Sequence, residues 1–193
     1  MNYLTKYGLM GVLKYSVYLL YTKCFFKGSR LIRFPFDIRN KKNIDLGSGF
    51  TCGHGCRIES EGGTIQFGKN CQLNDYVHIS SFNRVIIGDN FLCASKVYIT
   101  DLNHGIYSGS NCSFPTSPVA KRELSGESVT IGNNVWVGEN VVILPGVKIG
   151  DNAIVGASSV VTKNIDGNSI AVGNPAKIIK KWNDITNLWE AVI

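Results

Sequence analysis

Residues 129–164 decide the fold of this 193-residue chain, and they read VTIGNN, VWVGEN, VVILPG, VKIGDN, AIVGAS, SVVTKN. Isoleucine or valine occupies the third position of every six-residue unit, at Ile131, Val137, Ile143, Ile149, Val155 and Val161. A period of six fits neither the 3.6-residue turn of a helix nor the two-residue alternation of a half-buried strand. It predicts a three-sided prism in which each unit forms one short strand and one turn, with the third positions pointing inward.

The same spacing occurs earlier in the chain with interruptions. It links Leu46, Cys52 and Ile58, then Phe67, Leu73 and Ile79, and then Ile87, Cys93 and Ile99. Glycines directly follow many inward positions, where we expect tight corners that need a residue without a Cβ. Between Thr100 and Val129 the spacing stops. Because long loops inside compact repeat domains are usually functional or disordered, residues 102–128 are predicted to form a loop that leaves the prism.

The composition is that of one globular domain, with 18% charged and 44% hydrophobic residues. Cys52 and Cys93 fall on inward positions, where a thiol acts as a small hydrophobe. Cys52, His54 and Cys56 lie close together in the sequence, but a tetrahedral zinc site needs a further pair of ligands at a suitable spacing. We therefore expect no metal. His54 lies in a corner between glycines, and His78 precedes the inward Ile79 and so should point outward.

Positive charge is concentrated near the N-terminus. Residues 1–42 contain nine Lys or Arg and one acid, a net +8, whereas the rest of the chain carries −2. We interpret residues 1–43 as a basic amphipathic segment with a helix from Tyr3 to Phe26. Lys14 interrupts its apolar run, so a membrane-spanning helix or a cleaved signal is not expected.

Two interpretations of this helix remain open, and they are compatible. It could cap the open end of the prism, which has an apolar coil to cover, or it could lie on an anionic membrane surface. A basic patch without a recognisable module does not indicate nucleic-acid binding.

The repeats, the segment ITDLNHGIYS (99–108) and the closing AVGNPAKIIKK (171–181) resemble the hexapeptide-repeat acyltransferases. Within that family they are most similar to bacterial lipopolysaccharide and O-antigen O-acetyltransferases. The resemblance covers roughly residues 44–181. It implies an all-β fold, a left-handed parallel β-helix, and a homotrimer that transfers acetyl from acetyl-CoA to a sugar hydroxyl of a surface polysaccharide or its lipid-linked precursor. Such an enzyme would be cytoplasmic, or peripheral on the inner face of the membrane.

The candidate catalytic base is His104. A histidine titrates near neutral pH and is the commonest group to remove a hydroxyl proton in acyl transfer. His104 lies five residues after the inward Ile99, at the root of the predicted loop, where the family places its catalytic histidine. Asp101 is a candidate to orient the imidazole, with solvent as the alternative. Leu102 departs from the related Asp-His-Asn-His pattern, so part of the substrate positioning should differ here.

The resemblance also implies binding residues. Asn74 matches an asparagine that contacts the acceptor sugar, and its alternative interpretation is a turn residue. We expect Tyr107, in the loop, to help wall the acceptor site. The acetyl-CoA groove, between neighbouring subunits, would be lined by Trp136, Gly138, Ala157, Thr162, Lys163 and Lys180. The amide of Gly138 is a candidate donor to the thioester oxygen.

After the repeats, Asn174–Pro175 marks a turn. Lys177–Glu190 is predicted to form a short helix, and residues 182–193 are assigned to a helical C-terminal tail that overlaps it. Two further functional classes remain open. The acceptor could be a free sugar, an antibiotic hydroxyl or an amino sugar, or the chain could be a non-catalytic β-helix scaffold.

Overall fold

The computed structural model describes residues 3–192, in which short strands wind around a common axis as a parallel β-helix with three faces. The first face carries β1 (Leu31–Ile32), β4 (Thr51–Cys52), β7 (Gln72–Leu73), β10 (Leu92–Cys93), β15 (Trp136–Val137), β18 (Ile154–Val155) and β20 (Ser169–Val172). The second carries β2 (Phe36–Arg39), β5 (Cys56–Ser60), β8 (His78–Ser81), β11 (Tyr98–Thr100), β16 (Val142–Ile143) and β19 (Val160–Val161). The third carries β3 (Ile44–Asp45), β6 (Thr64–Phe67), β9 (Arg84–Ile87), β14 (Val129–Ile131) and β17 (Lys148–Ile149).

The six-residue spacing places the core as predicted. Each third-position side chain of residues 129–164 is at most 2% exposed. The residue two places earlier also points inward, because side chains alternate along a strand. Val135, Val141 and Val147 are accordingly at most 1% exposed. One continuous apolar core therefore runs the length of the prism.

One corner of the prism is held by a ladder of asparagines in the left-handed region. Asn90 donates to Asn134 at 3.0 Å, Asn134 to Asn152 at 3.1 Å and Asn152 to Asn168 at 2.8 Å. Their φ values lie between 52° and 60°, a conformation that asparagine tolerates better than most residues. The glycines at this corner are required for a different reason, which is the lack of space for a Cβ. A Cβ on Gly88 would lie 2.7 Å from the carbonyl carbon of Gly132 in the next coil, so glycine is needed there for coil stacking.

The β-helix begins earlier than residue 44, the boundary predicted from the sequence. Strand β1 pairs in parallel with β4, and β2 pairs with β5. Among residues 3–43, the helical elements are α1 (Tyr3–Phe25), which changes direction at Gly8 (φ 64°), and one 3-10 turn. The strands were missed because arginines and lysines flank the inward Ile32 and Ile38.

The C-terminal half of α1 covers the first coil. The hydroxyl of Thr22, which is 1% exposed, accepts from the Ile32 amide at 2.8 Å and donates to the Tyr18 carbonyl at 2.6 Å. Tyr21 packs against the core beside it. The helix therefore caps the prism. Among residues 3–192, no helix is both long and apolar enough to cross a bilayer.

The predicted C-terminal helix is wrong. Strands β21 (Lys177–Asn183) and β22 (Leu188–Ala191) form an antiparallel hairpin that extends the first face from β20. The free edge of β20 offers backbone donors and acceptors that a strand satisfies and a helix does not. Trp182 and Trp189 face each other across the hairpin, with ring centroids 5.5 Å apart. The turn contains Asn187 at a φ of 54°.

Candidate active site

The predicted loop leaves the prism at the corner after β11 and has an ordered base. Strand β12 (Leu102–His104) pairs antiparallel with β13 (Leu124–Gly126), with His104 opposite Leu124. Ser125 Oγ donates to the Gly105 carbonyl at 2.7 Å, one residue beyond His104. The break in the repeat therefore sets His104 on a short strand pair that projects from the coil.

Asp101 anchors this strand pair to the preceding coil. Its carboxylate is fully buried and accepts from the amide of Phe82 at 2.6 Å, the amide of Asn83 at 2.9 Å and the hydroxyl of Ser81 at 2.9 Å. Within residues 3–192 its side chain makes no hydrogen bond to His104. The predicted orienting contact is therefore absent from this structure, because all three contacts of the carboxylate fix the loop root.

His104 borders an open cleft of about 600 Å³ between the strand pair and the second face. Its side chain is exposed, and the imidazole makes no hydrogen bond to the part of the chain that the structure describes. The backbone of His104 is held by Tyr107, whose hydroxyl donates to the His104 carbonyl at 2.6 Å and accepts from Arg122 at 3.1 Å. Tyr107 thus positions the segment that carries His104. The imidazole itself is free to meet a substrate.

The opposite wall of this cleft contains groups that the sequence analysis did not assign to the site. His78 Nε2 lies 2.7 Å from Glu59 Oε1, and the ring of Tyr98 lies 5.0 Å from that of His78. Both residues of the Glu59–His78 pair line the cleft with His104. Aligning the coils on Ile58 and Ile79, which are register partners, would have placed Glu59 and His78 on diagonal positions of neighbouring strands.

The remaining predicted binding residues lie on two separate edges of the second face. Trp136, Gly138, Ala157 and Asn74 lie on the first face or at its corner with the second, whereas Thr162 and Lys163 follow β19 at the corner beside His104. Asn74 does not line the His104 cleft. Lys180 lies on β21, beyond the last coil, opposite Ile170. One chain therefore does not bring all the predicted acceptor and cofactor residues together.

The proposed oxyanion role of the Gly138 amide does not fit the structure. That amide donates to the carbonyl of Val155 at 2.8 Å as part of the coil stacking. A Cβ on Gly138 would lie 2.8 Å from Cα of Ala157. Glycine is therefore required by the next coil, and its donor is already occupied.

Comparison with known proteins identifies the fold and the reaction class. A family profile described as "Bacterial transferase hexapeptide (six repeats)" matches residues 128–163. The putative lipopolysaccharide biosynthesis O-acetyl transferase WbbJ of Escherichia coli K12 is 48% identical over 187 residues, which is 96% of this chain and 95% of that protein. This chain belongs to the hexapeptide-repeat acyltransferases.

Galactoside acetyltransferases are also related to this hexapeptide-repeat acyltransferase, by sequence and by solved structure. Galactoside O-acetyltransferase of Escherichia coli K12 is 35% identical, covering 78% of this chain and 72% of that protein. A solved structure of a galactoside acetyltransferase in complex with coenzyme A is 35% identical, with a TM-score of 0.55 over 71% of this chain and 68% of that one. The predicted enzyme class, acetyltransferase, is confirmed.

Four of the six cysteines of this hexapeptide-repeat acyltransferase are buried in the core, and Cys24 and Cys112 are exposed. Burial raises the pKa of Cys93 far above that of an ordinary thiol and raises the pKa of Cys71 to about 11. A hydrogen bond with Cys56, together with burial, raises the pKa of Cys52. The same hydrogen bond lowers the pKa of Cys56, so the raised pKa values, which make a thiol a poor metal ligand, apply to Cys52, Cys71 and Cys93. No group of three or more potential ligands that could hold a metal ion occurs among residues 3–192.

Proposed function

We propose that this enzyme transfers acetyl from acetyl-CoA to a sugar hydroxyl of a lipopolysaccharide or another surface polysaccharide, or of its lipid-linked precursor. The observation that supports the proposal is an unbonded, exposed imidazole at the rim of a cleft, at the position that carries the family's catalytic histidine. His104 accepts the hydroxyl proton while the oxygen attacks the thioester carbonyl. The C–S bond then breaks, and the CoA thiolate takes up the proton. No acyl-enzyme is needed.

The separation of the binding residues supports a homotrimer as the active unit. Trp136, Gly138 and Ala157 lie at one edge of the second face, and His104 and Thr162 lie at the other. In a closed ring, one edge of each subunit meets the opposite edge of the next. The groove between two subunits would then hold acetyl-CoA, with Lys163 and Lys180 available for its phosphates. Asn74 would reach the acceptor from the subunit beside the one that supplies His104.

Initial-rate assays with purified protein and acetyl-CoA test the function directly. The acceptors are methyl glycosides of galactose, glucose, mannose and rhamnose, disaccharides that contain them, the corresponding amino sugars, and chloramphenicol as an antibiotic hydroxyl. We expect CoA release with at least one neutral saccharide, and one added acetyl ester by mass spectrometry. Acetylation confined to amines or to chloramphenicol, or no CoA release with any acceptor, would reject the proposal.

The exposed side of α1 supports contact with an anionic membrane. Leu9, Leu13, Val17 and Leu20 recur three or four residues apart and are between 53% and 70% exposed, although the other side of the helix packs on the prism. Lys14 and Lys23 flank this apolar stripe on the helix surface. The helix is apolar on this outward side as well as on the side against the prism, so it is not amphipathic as predicted. An exposed apolar stripe with lysines at its borders can insert among the headgroups of an anionic membrane. We propose that this face meets anionic lipid, which brings a lipid-linked acceptor close to the cleft.

The double substitution Leu13→Glu/Val17→Glu should lower partitioning onto vesicles of phosphatidylglycerol and phosphatidylethanolamine by roughly tenfold or more, because it removes two apolar contacts and adds repulsion. Cosedimentation measures the partitioning. Thr64→Glu/Gln66→Glu, at exposed positions of the third face, adds the same charge as a control and should bind as the wild type does. Equal binding by all three proteins, or equal binding to pure phosphatidylcholine, would contradict the contact between this helix face and anionic lipid.

A further inference from the structure

The cleft is larger than the acetyl-transfer chemistry requires. Its volume of about 600 Å³ equals the share of about twenty water molecules in the liquid. Two hexose rings contain roughly as many non-hydrogen atoms, whereas the hydroxyl and the acetyl thioester that react beside His104 need only the rim. The rest of the cleft runs along the second face, past Glu59, His78 and Tyr98.

His78 is held in a fixed orientation on this wall. Its Nε2 lies 2.7 Å from Glu59 Oε1, and Arg39 Nη1 lies 3.1 Å from the other oxygen of the same carboxylate. Glu59 is only 8% exposed, so little water reaches its carboxylate, and each oxygen has one of these two side chains as its partner. With Nε2 protonated, Nδ1 of His78 is an acceptor, and it has no hydrogen-bond partner among residues 3–192. The side chain of His78 keeps 35% of its surface exposed.

Tyr98 supplies an aromatic surface directly beside His78. Its ring is tilted 34° to the imidazole and lies on the next coil at the register position of His78. The negative face of an aromatic ring attracts the polarised C–H bonds of a sugar ring. Beneath it, Ser80 Oγ donates to Thr100 Oγ1 at 3.0 Å, which gives the cleft a polar floor.

The charge of this wall selects among sugars. Glu61 is an exposed carboxylate in the cleft, and among the described residues it forms no salt bridge, although Arg39 is near enough to interact with it electrostatically. An exposed carboxylate accepts hydrogen bonds from hydroxyl groups and repels an anionic ligand. The wall therefore fits a neutral sugar and disfavours an acidic one.

We infer that His78, Tyr98 and Glu61 form a subsite for a second, neutral sugar of the acceptor, adjacent to the sugar whose hydroxyl meets His104. This inference rests on the proposed function and narrows the acceptor to a saccharide of at least two units. Glu59 and Arg39 are positioning residues, because they act through His78. The enzyme thus recognises a sugar next to the one that it acetylates.

The test uses the sugar that the wild type acetylates most efficiently in the methyl glycoside panel. That methyl glycoside is compared with disaccharides that contain the same sugar at either end. We expect the wild type to favour one disaccharide at least tenfold in kcat/KM. His78→Ala and Tyr98→Ala should each lower this preference about tenfold through KM, because each removes one set of contacts to the second sugar. Tyr98→Phe, which keeps the aromatic ring, should retain most of the preference for the disaccharide.

Arg84→Ala, on the exposed third face, is the matched control and should keep the wild-type preference. A wild type that acetylates the monosaccharide and the disaccharides equally well would overturn the subsite while leaving the acetyltransferase function intact. Variants that reduce kcat/KM equally for all saccharides would overturn it too, since they would place His78 and Tyr98 at the reacting sugar. A wild type without activity on any saccharide would reject the proposed function itself.

Discussion

Alanine at position 104 is expected to lower kcat by about 10²–10⁴-fold, the usual contribution of a general base. The structure predicts that the substitution slows the chemical step and leaves stability and CoA binding unchanged. The His104 imidazole is exposed and bonds to none of the described residues, so its removal leaves no unpaired buried group. The melting temperature and the Kd for CoA should therefore stay close to the wild-type values. Steady-state kinetics, thermal melting and titration with CoA measure the three quantities.

His54→Gln is the control for the loss of a histidine elsewhere. His54 Nδ1 lies 3.0 Å from the Phe34 carbonyl, and its ring lies 5.4 Å from that of Tyr18. It does not line the His104 cleft. That variant should turn over acceptor normally even if it is less stable. A His104→Ala enzyme within tenfold of the wild-type kcat would refute His104 as the base and would direct attention to His78 in the same cleft.

Asp101→Ala is expected to lower the free energy of unfolding by about 2–4 kcal/mol, because the amides of Phe82 and Asn83 lose a buried carboxylate acceptor. For a domain of this size the melting temperature should fall by roughly 10 °C. Activity should fall as well, since the loop root that carries His104 loses its anchor. Chemical denaturation and calorimetry measure the stability.

Asp101→Asn separates the anchoring role from the orienting role predicted from the sequence. Asparagine retains an acceptor oxygen but loses the charge, so an intermediate loss of stability is expected. If Asp101 acts only as an anchor, the asparagine variant should keep most of its kcat well below its melting temperature. A folded variant with a hundredfold lower kcat would instead support an electrostatic effect on the His104 imidazole.

The coils could be predicted from the sequence because the inward positions follow a regular spacing along the chain. A residue that must face inward every six positions leaves a periodic trace, and Ile131 to Val161 carry it without a gap. The first coil has the same spacing, at Ile32, Ile38 and Ile44, but the cationic neighbours of these residues masked it. The C-terminal hairpin could not be predicted from such a spacing. Its conformation depends on the unpaired edge of β20, which exists only once the coils have formed.

The candidate site was predictable in part for the same reason. His104 is marked by the point at which the repeat breaks, so a one-dimensional pattern locates it. The Glu59–His78 pair is nineteen positions apart in sequence and meets only through coil stacking. The bonding of Asp101 to the preceding coil likewise follows from stacking. Such contacts become visible only when the register of successive coils is known.

The strand pair β12 and β13 closes the base of the loop before the chain re-enters the prism. Residues 105–123 can therefore be lengthened, shortened or replaced while the coils on either side keep their register. In an acetyltransferase of this design, the loop beside His104 can diversify separately from the coils, which carry the opposite wall of the cleft with His78 and Tyr98. A lineage of such enzymes could therefore change one side of the cleft through exchanges in a single segment, while the side formed by the coils stays the same.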